Sequence, residues 1–391
     1  MCNAKRIDLS NEINCCGCMA CEDACPRGAI SMIENGNGFI YPDIDEAKCV
    51  NCGICLNVCD FRKEPKTESN IEKAYSLVVN DKNVLQKSSS GGAFTALSDV
   101  VLSRSGYVVG SIMDKNFNIK HIVAKDKKER DLMRESKYVQ SCTRGIWERI
   151  RELLDQGKEV LFSGTPCQCA ALKSYLGKDY ERLIVVDFLC HGVPNNRMFK
   201  DFIDHLNSTS KTPVVGFSFR NKIFGWNSNS INYSISSDGK INSNWINQSF
   251  YSFFSKNLSL RPACYRCPYR SMHRPSDITI ADFWGIERLT GCKNRDGVSL
   301  VLIHSEKGQS MIESINASCK VIEYPLETVK YRIWIVPPKP HVKYGEFWKT
   351  YQNGGYLALV NRYFDDSFAK QIRFEIKKIV KKNYFMIKNN Q

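Results

Sequence analysis

The chain has 391 residues, room for two or three domains, with 43% apolar content and 55 Lys and Arg against 41 Asp and Glu, a formal charge of +14. No helix-turn-helix, RNA-recognition or zinc-finger spacing accompanies that charge, which argues against nucleic acid, and no apolar run approaches a membrane span. The opening Met1-Cys2-Asn3-Ala4-Lys5-Arg6 leads into no secretory-type apolar stretch, so a cytoplasmic protein is expected, and eighteen cysteines in a reducing compartment point to metal ligation instead of disulfides.

Two cysteine runs come first, Cys15-x-x-Cys18-x-x-Cys21-x-x-x-Cys25 followed by Pro26, and Cys49-x-x-Cys52-x-x-Cys55-x-x-x-Cys59. A tight turn through three thiolates covers one face of an iron–sulfur cube, and the remaining iron takes a ligand from further away. The spacing predicts that Cys15, Cys18, Cys21 and Cys59 hold one 4Fe-4S cluster and that Cys49, Cys52, Cys55 and Cys25 hold a second. Gly17 and Gly53 let the backbone turn closely around the sulfides. Paired C-x-x-C units also build zinc sites, although those have no need of the C-x-x-x-C ending. Cys16 fits neither register and reads as a bystander. This pattern is that of a two-cluster ferredoxin-like domain, expected over residues 1–64.

Arg62-Lys63-Glu64-Pro65-Lys66-Thr67-Glu68-Ser69-Asn70 is a polar linker by composition. Beyond it, short apolar strands at Ala74 to Val79, Tyr107 to Gly110, Val160 to Ser163 and Leu183 to Leu189 alternate with helical stretches at Gly92 to Ser103 and Trp147 to Leu154, an α/β pattern. Val214 to Trp245 changes to Ser/Asn-rich alternation around Asp238-Gly239, which predicts an antiparallel β insertion, so the chain as a whole reads as α+β. Ser88-Ser89-Ser90-Gly91-Gly92 enters a helix, where backbone N–H groups can meet a phosphate or a serine can simply cap the helix. Three strand-end or loop fragments carry further cysteines: Cys167 in Gly164-Thr165-Pro166-Cys167-Gln168, Cys190 in Cys190-His191-Gly192, and Cys264-x-x-Cys267. They suit a third cluster, a zinc site or unrelated buried thiols. His191 is the histidine set in a cysteine motif, a candidate proton donor or a loop-fixing group. Arg220 and Lys222 are candidates for holding an anionic substrate, against ordinary surface charge. Residues 346–391 are expected to form a basic helical tail, its stretch Lys370 to Lys388 either solvated or docked on an acidic redox partner or anionic surface.

In combination these motifs resemble the coenzyme F-420 hydrogenase/dehydrogenase beta subunit family behind an N-terminal ferredoxin extension. The likeness rests on Ser88 to Thr95, Lys137-Tyr138-Val139-Gln140-Ser141, Gly164 to Gln168, Cys190-His191-Gly192, Phe219-Arg220-Asn221-Lys222 with Gly225-Trp226, Cys264-x-x-Cys267 and Ser276 to Gly285. It implies a larger α/β flavin and iron–sulfur unit whose N-terminal part spans 71–155 and whose C-terminal part spans 156–345. It also implies FAD held by Ser88, Ser89, Ser90, Gly91, Gly92, Lys137, Tyr138 and Ser141, and a third 4Fe-4S cluster on Cys167, Cys190, Cys264 and Cys267. The activity implied is an iron–sulfur flavoprotein oxidoreductase that moves electrons between a redox partner, a ferredoxin or partner oxidoreductase, and a small-molecule substrate or deazaflavin. The alternative is an electron-transfer subunit without a substrate of its own, and similar proteins occur in bacterial polysaccharide loci. Asp282 and Trp284 read as packing residues.

Overall fold

The computed structural model describes residues 12–64, 66, 68–220, 222, 225–226, 232–291, 296–315, 317–330, 335–365 and 367–389. The opening residues, expected to carry no leader, and Asn221 of the Arg-Asn-Lys motif lie outside them.

The N-terminal lobe is built on a hairpin of β1 (Ile30–Glu34) and β2 (Ile40–Ile44), paired antiparallel, with a cysteine run on either side. Each run turns into a four-residue helix, Ala20–Asp23 or Ile54–Asn57, whose first flanking residue is left-handed: Met19 at φ 62° and Gly53 at φ 79°. Repetition in the sequence thus becomes repetition in space. Gly17, also left-handed, has a second reason to lack a side chain, because a Cβ there would sit 2.5 Å from Gln140 Nε2 and 2.8 Å from Arg261 Nη1.

Among the described residues the larger unit is organised by an eight-stranded sheet of β3 (Lys73–Val79), β4 (Tyr107–Met113), β5 (Ile119–Ala124), β6 (Val160–Ser163), β7 (Leu183–Phe188), β11 (Ile278–Asp282), β12 (Ser299–Ile303) and β13 (Cys319–Tyr324). Its order is β13-β3-β12-β11-β7-β6-β4-β5. The central β4, β6, β7 and β11 are parallel and the flanking pairs antiparallel. Central strands covered on both faces read as continuous apolar runs, as Val160-Leu161-Phe162 and Leu183-Ile184-Val185-Val186 do. Leu97 and Val101 of helix Ala93–Ser103 and Met311, Ile312 and Ile315 of Glu306–Ile315 fill one core, and Trp147, Ile150 and Leu153 of Ile146–Asp155 with Leu172 of Pro166–Leu176 fill another. The insertion is a separate three-stranded antiparallel sheet of β8 (Val214–Ser218), β9 (Tyr233–Ser236) and β10 (Ile241–Asn242), turning at Gly239 with φ 79°.

The N-terminal lobe is not a tethered bead. Ala20 and Val58 belong to the same core as Trp147, and Phe39 and Tyr41 to an aromatic core with Phe199, Phe253, Phe347 and Trp348. Trp147 Nε1 and Thr143 Oγ1 donate to the Cys18 carbonyl at 2.9 and 2.8 Å. Of the range expected as a tail, helix Tyr344–Tyr363 buries Phe347, Trp348, Tyr351, Tyr356, Leu359 and Val360, and the basic helix Phe368–Asn389 follows it.

Candidate redox site

Twelve cysteines gather in three sets of four. Cys25, Cys49, Cys52 and Cys55 line a shallow surface pocket with Pro26, Ala29 and Gly53, Cys52 being exposed. Cys15, Cys18, Cys21 and Cys59 stand close enough that each thiolate would raise the others, and burial, the larger effect, pushes Cys21 well up and holds Cys15 above the usual thiol range. Four buried thiols that repel one another as anions are a donor set in want of positive charge, and an iron–sulfur core supplies it. The Gly17 amide at 3.4 Å and Arg261 Nη2 at 3.7 Å point at Cys15 Sγ, and the Ala29 amide at 3.3 Å points at Cys25 Sγ, as donors to cluster sulfurs do. Both groupings follow the crossed arrangement expected from the spacing. Among the described residues no three His, Cys, Asp or Glu side chains converge as tightly as a single ion requires.

The third set faces a cavity of about 850 Å3, within the range of roughly 300–1,000 Å3 usual for small-molecule sites. Cys167 sits in the first turn of Pro166–Leu176, where Thr165 and Gln168 cap each other and Thr165 Oγ1 lies 3.1 Å from Cys167 Sγ. Cys190 follows the end of β7, and Cys264 and Cys267 lie on the turn Pro262–Arg266 and just beyond it. Burial is the main cause raising Cys190, Cys264 and Cys267, reinforced by the other thiols of the set. Cys16, set aside by its spacing, lines the same cavity and hydrogen-bonds Cys167, an interaction that lowers the Cys167 thiol and raises its own.

The same cavity is lined by Ser88, Ser89, Ser90, Gly92, Lys137, Tyr138, Ser141 and His191. Their free groups are fewer than the sequence suggests. Ser88 Oγ donates to Val84 O and Ser90 Oγ to Val298 O, while the Gly91 amide donates to Ser299 Oγ at 3.0 Å. A Cβ on Gly91 would lie 2.0 Å from the Leu77 carbonyl, so this glycine serves the sheet. Gly92, at φ 92°, leads into helix Ala93–Ser103, whose first amides have no carbonyl behind them to bond. Lys137 Nζ donates to the carbonyls of Leu132, Met133 and Arg134, and burial lowers it to about 7. Ser141 Oγ accepts from Gln168 at 3.0 Å. Tyr138 packs on Phe219, Tyr251 and Phe254.

His191 Nε2 lies 2.7 Å from Asn257 Oδ1, and Arg270 Nη2 lies 3.5 Å from its Nδ1. The amide oxygen can only accept, so Nε2 carries the proton, and burial keeps the ring below its ordinary pKa. Arg220 pairs with Asp282, which also accepts from Trp226 Nε1 at 2.9 Å, and its guanidinium covers the Trp284 ring. Lys222 is not among the lining residues. Its ammonium is buried against the carbonyls of Leu85, Ser90 and Asp296, where it ties down the Ser88–Gly92 turn.

Three further residues matter. Arg261 is fully buried and donates to Cys15 O at 2.7 Å, Ile40 O at 2.7 Å and Gln140 Oε1 at 3.0 Å, joining the N-terminal lobe to the cavity wall. Gln140 Nε2 returns bonds to the carbonyls of Cys16 and Gly17. Arg134 lines the cavity with its Nε buried and unpartnered. Gln140 lies in a motif singled out from the sequence, whereas Arg261 and Arg134 carry no local signature.

The fit to a flavin is favourable on these observations: a helix start, an orphaned guanidinium nitrogen beside it, and aromatic rings further along one wall. Three cysteine sets, two of them in a ferredoxin-like lobe, define an iron–sulfur electron-transfer protein of the oxidoreductase kind. Residues 157–328 match the family model for the C-terminal part of the beta subunit of coenzyme F420 hydrogenase/dehydrogenase, and residues 14–62 match the 4Fe-4S dicluster domain. The chain belongs to that beta-subunit family, with the dicluster domain in front. A curated relative, the B subunit of the ion-translocating oxidoreductase complex of Methanosarcina acetivorans, is 42% identical over 55 residues, 14% of this chain, and the match spans only 19% of that relative's length. A chain of the F420-reducing [NiFe] hydrogenase complex from Methanosarcina barkeri aligns over 77% of this chain and 95% of its own at 17% identity, TM-score 0.46.

Proposed function

We propose that the chain is an iron–sulfur flavoprotein that exchanges electrons with a redox partner at the Cys25/Cys49/Cys52/Cys55 surface and with FAD in the cavity, serving an organic substrate or deazaflavin. The observation that carries this reading is that Cys167, Cys190, Cys264 and Cys267 line one cavity together with the helix start after Gly92, Arg134 and Tyr138. When bound, FAD converts between the single electrons of a cube and the electron pair of hydride chemistry.

The chain's own groups orient and tune. The first-turn amides of Ala93–Ser103, Ser89 and Arg134 would hold phosphate, and Tyr138, Tyr251 and Phe254 would flank the ring system. Arg261, placed between Cys15 and the Cys264 turn, adds positive charge where two cubes add negative, which favours the reduced forms of both. His191, fixed by Asn257 and Arg270, positions the Cys190 loop, and Arg220 with Asp282 and Trp284 shapes the far wall. At the outer site Val50 and Ile54 are exposed beside Cys52, an apolar collar suited to a partner protein.

The test is anaerobic. Acid-released cofactor is identified by chromatography, and the reduced protein is mixed with oxidised deazaflavin while its absorbance is followed. FAD in the extract with loss of the deazaflavin band supports the full reading. FAD without turnover reduces it to a partner-serving electron-transfer role, which the match to one component of a redox complex also supports, and no FAD refutes it.

A further inference from the structure

Helix Phe368–Asn389 meets the rest of the chain along one side. Phe374 packs on Trp245, ring centroids 5.4 Å apart, and Trp245 stacks on Phe364. Beside it Lys378 Nζ donates to the Ser243 carbonyl at 2.7 Å and pairs with Glu375 at 3.0 Å. A surface helix ordinarily turns its apolar stripe to such a contact and its charges to water. This helix does the opposite. Phe368, Ile372, Ile376, Ile379 and Val380 are 77, 42, 54, 58 and 60% exposed. At ~100° per residue they share a sector of about 120° centred roughly opposite Phe374, with Lys370, Arg373 and Lys377 along one border. The helix carries seven cations, Lys370, Arg373, Lys377, Lys378, Lys381, Lys382 and Lys388, against the single acid Glu375, a net +6.

We propose that this outward face binds an anionic lipid surface, the helix lying flat with its aliphatic side chains below the headgroups and its flanking cations among the phosphates. Long Lys and Arg stems suit that depth difference. Among the described residues no helix is long and apolar enough to cross a membrane, so the geometry is interfacial. A second copy would set +6 against +6, which disfavours pairing through this face. A broad convex sector of Phe, Ile and Val with no acid or hydrogen-bonding side chain inside it, from Phe368 to Val380, matches an interfacial helix better than it matches the mixed polar contacts of an acidic protein groove. The inference is independent of the flavin reading.

The full chain is sedimented with phosphatidylcholine vesicles, with and without phosphatidylglycerol, at physiological salt. It should pellet only with the anionic vesicles. The triple variant K370Q/R373Q/K377Q should weaken partitioning on the order of 100-fold. I372Q/I376Q/I379Q should abolish pelleting without unfolding, since these side chains are largely exposed and glutamine is a good helix former. Tryptophan at 379, in I379W, should shift its emission to the blue on anionic vesicles. No pelleting of the wild type, unchanged pelleting of the isoleucine variant, binding to polyglutamate but not to vesicles, or a lipid-free dimer that the isoleucine variant dissociates would each overturn the proposal.

Discussion

The outermost and innermost cysteine sets have the same ligand number and opposite surroundings. Cys25, Cys49, Cys52 and Cys55 lie at the surface in a lobe of short helices and one hairpin, with their spacing written in a single run of sequence. Cys167, Cys190, Cys264 and Cys267 come from three separated segments and meet only because parallel β6 and β7 end side by side and the Pro262–Arg266 turn folds over them. The outer set can meet a protein, and the inner one can meet only what fits the cavity. Electron exchange with a partner and chemistry on a small molecule therefore belong at different ends of the molecule.

Arg261 is where the two ends are joined, and its replacement should have the largest effect. Arg261→Gln removes the guanidinium that bridges Cys15, Ile40 and Gln140, with an expected loss on the order of 3–5 kcal/mol in chemical denaturation. It should also move the midpoint potential of the Cys15 cluster, read by EPR-monitored titration, to more negative values while leaving the Cys52 cluster in place. An unchanged stability would mean that the lobe is only tethered. Gly91→Ala comes next: a Cβ at 2.0 Å from Leu77 O must shift β3, lowering stability by about 1–3 kcal/mol or more. That damage should appear in the sheet before it appears in flavin content. Arg134→Met should weaken flavin binding by about 10–100-fold, measured by fluorescence of released cofactor, with iron content unchanged.

The smallest effect concerns acid. The N-terminal lobe has no histidine, whereas buried His121 donates into the Ser163 carbonyl on the inner side, and burial lowers it to about 4. Below its unfolded pKa of 6.5 the unfolded chain takes a proton that the folded chain refuses, so stability falls as pH drops from 6.5 toward 4. At pH 5.5 the loss is about 1.4 kcal/mol. His121→Gln should gain that amount on wild type between pH 7.5 and 5.5 in parallel denaturation curves. An equal acid slope in both proteins would remove His121 as its source.

Much of the fold was legible. Val160–Ser163 coincides with the expected strand, and the helices begin and end within a residue or so of their expected limits, because covered parallel strands and capped helices leave local signals. Both N-terminal cysteine groupings follow from spacing alone. Less was legible where a role depends on what lies across a gap. Lys222 looked like a surface cation and is buried under three carbonyls, and Ser88 and Ser90 looked free and are spent inside the chain. Cys16 was set aside for a ligand spacing it never needed, since its partner Cys167 lies in a distant segment.

The most direct test of the central claim is an anaerobic count of iron and flavin in the full chain and in Cys190→Ser. A relay with an inner cluster beside FAD predicts about 12 irons and one flavin in the wild type, falling to about 8 irons in the variant with the flavin kept, because a hydroxyl replaces a thiolate poorly at iron. About 8 irons in both proteins would contradict it and leave the inner cysteines as cavity lining alone.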